Sequence, residues 1–163
     1  MRTIRLRVTL RDVSPRVLRV VDVPASSTLP ELHELLQVAL GWADSHLHQF
    51  DACGIHYGVP HEEWPDDQVD EAGVALRGLP NRFVYLYDFG DRWTHDVELL
   101  GPGGDQPGCV YGEGTCPPED CGGPSGYAEV LAVLADPESD GCETSRSPRV
   151  SGSTPLAAGV LTQ

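Results

Sequence analysis

Phe83-Val84-Tyr85-Leu86-Tyr87-Asp88-Phe89-Gly90-Asp91-Arg92-Trp93-Thr94-His95-Asp96-Val97-Glu98-Leu99 decides the fold of this chain. Before Asp88, apolar residues fill both alternating sets, so this strand is covered on both faces and central. Asp88 to Arg92 reads as a tight polar turn, with Gly90 supplying the special φ. Trp93, His95, Val97 and Leu99 then fall on one face of a return strand. Such a hairpin needs strands on either side of it and helices over its apolar face.

The neighbours are found upstream. Ile4, Leu6, Val8 and Leu10 alternate with Arg5, Arg7 and Thr9, the pattern of a half-buried strand. Arg16 to Val23 is Val-rich and reads as a second strand, more central in the sheet. Thr28 opens a helix, with Glu31 at capping-box spacing and Pro30 in the first turn. Leu32, Leu35, Leu36, Ala39 and Leu40 form its core stripe, and Gly41 ends it. Ser45 to Cys53 alternates again, its polar face carrying His46 and His48. Gly54 to Gly58 closes a hairpin. Residues 60–73 hold Glu62, Glu63, Asp66, Asp67, Asp70 and Glu71 and read as an exposed loop; Val74 to Leu79 reads as a short strand or a connector.

Downstream of the hairpin, residues 109–123 show no periodicity and read as an ordered loop with a Pro117-Pro118 core. A second helix begins near Pro124, with Tyr127, Val130, Leu131 and Leu134 as its stripe and Asp136-Pro137 as its stop. The predicted architecture is an α+β domain: one antiparallel or mixed sheet with two main helices, opening in a β-grasp-like ββαβ order. It spans residues 1–137. Residues 138–163 turn to Ser, Thr, Gly and Pro and read as a polar, disordered tail, with Leu156 to Leu161 its one candidate element.

The 163 residues are 40 % hydrophobic, enough for a core. No apolar run approaches the roughly 18 residues of a membrane span, and Met1 to Arg5 leads into no signal-like segment. A cytoplasmic protein is expected, without membrane contact. The net charge of −14 argues against a broad nucleic-acid surface. The chain has no Lys, and Arg2, Arg5, Arg7, Arg11, Arg16 and Arg19 crowd its start. They are expected to pair with the surplus acids; the alternative is a basic sheet face for nucleic acid.

Three groups of residues carry candidate chemistry. Asp88, Asp91 and His95 bring two carboxylates and an imidazole to one turn, the makings of a metal or acid/base site; ordinary turn chemistry explains the same residues. Glu119 and Asp120 precede a helix start, where they cap it or join that acidic surface. Cys109, Cys116 and Cys121, with His95, His46 or His48 as fourth ligand, are zinc candidates, although their spacing lacks paired Cys-x-x-Cys knuckles. With Cys53 and Cys142 the cysteines number five, which suits free thiols or a metal better than disulfides. Trp42, Trp64 and Trp93 read as core or loop anchors.

Tyr87-Asp88-Phe89-Gly90-Asp91-x-Trp93-x-His95, then Cys109-x-x-Gly112, then Pro117-Pro118-Glu119-Asp120-Cys121-Gly122-Gly123 with Gly126-Tyr127, resemble the plasmid pRiA4b ORF-3-like family. Leu47-His48-Gln49-Phe50 adds to the match, which covers residues 3–137. The family includes mobile-element passenger proteins, some labelled TnpR. The resemblance implies a compact α+β domain and no known activity. The resolvase label finds no serine ringed by arginines here. Relatives are expected to continue past the second helix into an acidic, aromatic segment, so the polar tail reads as a truncation or frameshift. The leading expectation is a non-enzymatic accessory or interaction domain with an unknown protein partner. A metal-binding protein or metal-dependent enzyme using the acidic, His and Cys residues is the alternative, and nucleic-acid binding a weaker one.

Overall fold

Alternation in the first strand and continuous apolar character in the hairpin build one sheet in the computed structural model, which describes residues 1–63 and 67–136. Its strands are β1 (Thr3–Leu10), β2 (Leu18–Pro24), β3 (His48–Ala52), β4 (Ile55–Gly58), β5 (Val69–Asp70), β6 (Arg82–Tyr87), β7 (Trp93–Pro102) and β8 (Gly108–Glu113). The helices are α1 (Leu29–Leu40) and α2 (Gly123–Ala135), with a 3-10 turn at Leu76–Gly78. The order across the sheet is β5-β4-β3-β6-β7-β1-β2-β8. All pairs are antiparallel except β4 with β5. This is an α+β fold on a single mixed sheet. The expected tail, with Cys142, Leu156 and Leu161, and the anchor Trp64 lie outside the described residues.

The β6–β7 hairpin holds the middle of the sheet. Phe83, Tyr85 and Tyr87 are buried opposite Val97, His95 and Trp93. Leu29, Leu32, Leu36 and Leu40 of α1 complete the core. Glu31 Oε2 reaches back to the Thr28 N–H at 2.8 Å, and Gly41 adopts φ 77° to end the helix.

Several elements differ from expectation. Residues 109–123 contain the edge strand β8, paired with β2 alone; nearly all of its residues face solvent on both sides, so no alternation marks it. β2 is an interior strand beside that edge, not a central one. The buried side of α1 includes His33 and Gln37, while Leu35 and Ala39 are half-buried at its margin. His48 is not on a polar face: it points inward with Phe50 and Ala52. Glu71, expected in an exposed loop, is 2 % exposed. In α2 only Tyr127 of the expected stripe is buried, and Leu134 faces solvent. At the hairpin turn the positive φ angles belong to Asp88 (60°) and Arg92 (58°), not to Gly90. Asp tolerates that conformation because its side chain bonds locally.

The early arginines are largely paired. Arg5 binds Asp22 at 2.8 Å, and its guanidinium holds that carboxyl below the usual range. Arg7 binds Glu98, Arg11 binds Asp96 and Arg16 binds Glu113. Arg19 instead donates to the carbonyls of Ala39, Glu113 and Gly114, stapling β2, the end of α1 and the end of β8. The exposed pairs add little to stability; their larger effect is to neutralise the basic start of the chain.

Candidate functional site

Three segments meet at one end of the sheet: the α1–β3 connection, the β6–β7 turn and the loop leading into α2. Each is fixed by its own bonds. Asp88 Oδ1 accepts the N–H groups of Gly90 (2.9 Å) and Asp91 (3.3 Å), which locks the turn and leaves Oδ2 facing His46. Trp42 donates from Nε1 to Pro117 O at 2.9 Å and stacks on Tyr87 with ring centroids 5.0 Å apart. Glu119 clamps the junction: it accepts from Tyr87 OH, from Ser45 Oγ at 3.1 Å and from the Ala43 N–H at 3.3 Å. Burial first, and the Glu119 carboxylate second, push the Tyr87 phenol up to about 12. Asp91 Oδ2 accepts the Gly122 N–H at 3.2 Å.

Gly123 follows with φ +71°, and a Cβ there would lie 2.5 Å from the Asp91 carbonyl oxygen. Gly123→Ala therefore combines left-handed strain with a backbone clash. We expect a loss of at least about 2 kcal/mol, read as a lower urea midpoint; an unchanged midpoint would show that the two loops are not in register.

The junction gathers His46, Asp88 and Asp120. One ligand atom from each lies within 4.8 Å of the others. His46 Nε2 is 2.8 Å from Asp120 Oδ1 and 3.6 Å from Asp88 Oδ2. Nevertheless it makes no hydrogen bond of acceptable angle and is itself out of contact with solvent. Asp120 is 71 % exposed, so the cluster opens outward.

A second cluster lies alongside. His48 Nε2 meets both oxygens of Glu71, at 2.9 and 3.0 Å, and all of these groups are buried. The His33 ring stacks on His48 at 3.6 Å and 9°. The proton positions on His33 follow from its neighbours. Gln37 Oε1 accepts the Asp44 N–H, so Gln37 Nε2 donates to Tyr85 OH. The Tyr85 hydroxyl then donates to His33 Nδ1 (2.8 Å), and His33 Nε2–H donates to Asp44 (2.7 Å). His33 is thereby held neutral; burial, then the neighbouring His48, lower its pKa. His33, Asp44 and His48 also offer ligand atoms within 4.8 Å. Parallel stacked rings, however, cannot both aim lone pairs at one ion between them, and each Nε2 already has a carboxylate. This cluster is a hydrogen-bonded network; the first is the better candidate for a cation.

Of the residues expected at a site, Asp88 and Asp120 converge on His46. Glu119 and Asp91 stand beside them, bonding the loops together. His95 lies apart in the core: it is fully buried, donates from Nδ1 to Tyr85 O at 3.0 Å, and burial pushes its pKa down to about 4. Neither convergent cluster among the described residues contains Cys109, Cys116 or Cys121. Cys109 is exposed, Cys116 Sγ accepts from Arg19 at 3.1 Å, and burial raises the Cys116 and Cys121 thiols. His33 and Asp44 carried no expectation, and Glu71 only that of an exposed loop. For His33 and Gln37 a signal exists: they continue the Leu29, Leu32, Leu36, Leu40 stripe at helical spacing, polar residues in core positions.

A family model described as plasmid pRiA4b ORF-3-like protein matches residues 2–148. The chain belongs to the plasmid pRiA4b ORF-3-like family. Asp88 and Asp120, one from each half of the motif pair, are thus joined in this member of the family by His46. The chain is 43 % identical over 143 residues to the uncharacterised protein y4hQ of Sinorhizobium fredii (strain NBRC 101917 / NGR234), covering 82 % of this chain and 74 % of that one. It is also similar to the crystal structure of MM3350, a protein of unknown function from Methanosarcina mazei Go1. That match has a TM-score of 0.75 at 30 % identity, over 85 % of this chain and 84 % of the other. No helix among the described residues is long and apolar enough to cross a membrane.

Proposed function

We propose that this pRiA4b ORF-3-like protein binds a divalent transition-metal ion, zinc by preference, through His46, Asp88 and Asp120. The observation that carries the reading is the His46 Nε2 atom: removed from solvent, without a proper hydrogen bond, and faced by two carboxylates from two other segments. One imidazole and two carboxylates suit zinc and its neighbours better than calcium or magnesium, which take oxygen ligands alone. Three protein ligands leave a position open, as in catalytic sites. A non-enzymatic role on a mobile element has the family's plasmid name behind it; the ligand cluster favours the metal-binding alternative.

Zinc titration by calorimetry tests the reading. We expect one site in the wild type, weakened at least about 100-fold in His46→Gln and in Asp120→Asn. Asp120 is exposed and bonds no backbone partner in the turn, so its substitution spares the fold. Equal affinity in all three proteins refutes the assignment.

A further inference from the structure

Helix α1, the α1–β3 connection and the start of β3 line a cleft of about 410 Å³, which shares only His46 with the proposed cation site. Two exposed acids, Glu34 and Asp44, stand in its lining. Glu34 makes no hydrogen bond or ion pair among the described residues. Asp44 receives His33 on Oδ1, and no bond among the described residues uses its Oδ2. No Arg among the described residues lines the cleft, and the chain has no Lys. Pro30, Leu47 and Val59 give it an apolar wall.

Exposed acids are common and make no site by themselves. The deeper feature is His48, only 6 % exposed and also part of the lining. Glu71 takes its Nε2–H with both oxygens, which fixes the tautomer and leaves Nδ1 with a lone pair. Nδ1 makes no hydrogen bond among the described residues, yet it is not sealed from solvent. The His33 ring stacked at 3.6 Å holds it in place. The cleft thus offers a fixed acceptor in its depth and two carboxylates nearer the surface. A ligand that matches this set is a hydrogen-bond donor with positive charge.

We propose that this cleft binds an alkylguanidinium group, the end of an arginine side chain or of a free guanidine, with Glu34 and Asp44 as its counter-charges and His48 Nδ1 as its buried acceptor. A guanidinium presents several N–H donors in one plane and is weakly hydrated, so it can serve acceptors on separate residues; an ammonium is a compact, strongly hydrated point charge. The alkyl arm lies against Pro30, Leu47 and Val59. Nothing in this assignment depends on zinc.

The test titrates full-length, EDTA-treated protein with n-butylguanidinium and with n-butylurea, its uncharged analogue of the same shape, in about 0.15 M salt. Butylguanidinium is expected to bind at least about tenfold more tightly. Glu34→Gln and Asp44→Asn are each expected to weaken it about tenfold. Both spare the fold: Glu34 is exposed, and Asn keeps an acceptor for His33. Glu129→Gln, an exposed acid on α2 outside the cleft, is expected to stay within about twofold of the wild type. On saturation the ring nitrogen signals of His48 should move, and those of His56 and His61, which do not line the cleft, should not. An acetylated, amidated Ala-Arg-Ala peptide separates the sources: binding as tight as butylguanidinium supports an arginine held by a protein, and its exclusion supports a free guanidine. No binding of butylguanidinium at millimolar concentration, equal binding of butylurea, an equal loss in Glu129→Gln, or an unmoved His48 overturns the assignment.

Discussion

Glu71→Ala is expected to destabilise the fold by about 3–5 kcal/mol, the cost of removing one partner from a buried polar pair. Glu71 is 2 % exposed and His48 6 %, so the carboxylate is lost from a largely buried pair. The His48 N–H would then stand unpaired against His33, whose own bonds to Tyr85 and Asp44 fix its position. Relaxation is blocked on that side by the stack and on the other by Phe50. Glu71→Gln retains an acceptor and is expected to cost only about 1–2 kcal/mol. Urea unfolding of the three proteins measures both values. A loss below about 1 kcal/mol in the alanine variant would mean that the pair is open to solvent.

Stability is expected to fall by about 3 kcal/mol as the pH drops from 6.5 to 4, through His95. Burial lowers its folded pKa from 6.5 to about 4. Between these values the unfolded chain binds a proton that the folded chain refuses, so acidification favours unfolding. The size follows from about 1.4 kcal/mol per pH unit. His33 acts in the same direction, its pKa also being lowered. The carboxyls of Asp22, Asp96, Glu98 and Glu113 are held low by their arginines, so their stabilisation is lost progressively as the pH falls from the ordinary carboxylate values of 3.8–4.5 through their lowered folded values. The loss between pH 6.5 and about pH 5 therefore belongs to the buried histidines. Urea midpoints at pH 7, 6, 5 and 4.5 should fall steeply in the wild type and much less in His95→Leu. Parallel slopes would contradict the buried, neutral assignment.

The hairpin, α1 and β1 were legible because each carries a period: alternation before and after Asp88, a leucine stripe closed by Thr28 and Gly41, and strict alternation from Ile4 to Leu10. β8 was not, because an edge strand exposed on both faces has no period to show. Glu71 was hidden for the opposite reason. Its neighbours Asp67 and Asp70 are solvated, and no local signal says that one carboxylate in an acidic run will meet a histidine 23 residues away. The candidate site was half legible. Asp88 and Asp120 stood out within their motifs, but His46 stood out only as one member of an alternating run. His95, near Asp91 in sequence, points to the core because Trp93 and Val97, two residues to either side, are core residues. Turn geometry, not sequence distance, decided which imidazole meets the carboxylates.

The most direct measurement is an anomalous-scattering map from a crystal soaked in Zn²⁺. The account predicts one strong peak about 2.0–2.2 Å from His46 Nε2 and from a carboxylate oxygen of Asp88 and of Asp120. A crystal fully exchanged with zinc that shows no peak at this junction, or shows its zinc bound to Cys109, Cys116 and Cys121 instead, contradicts it.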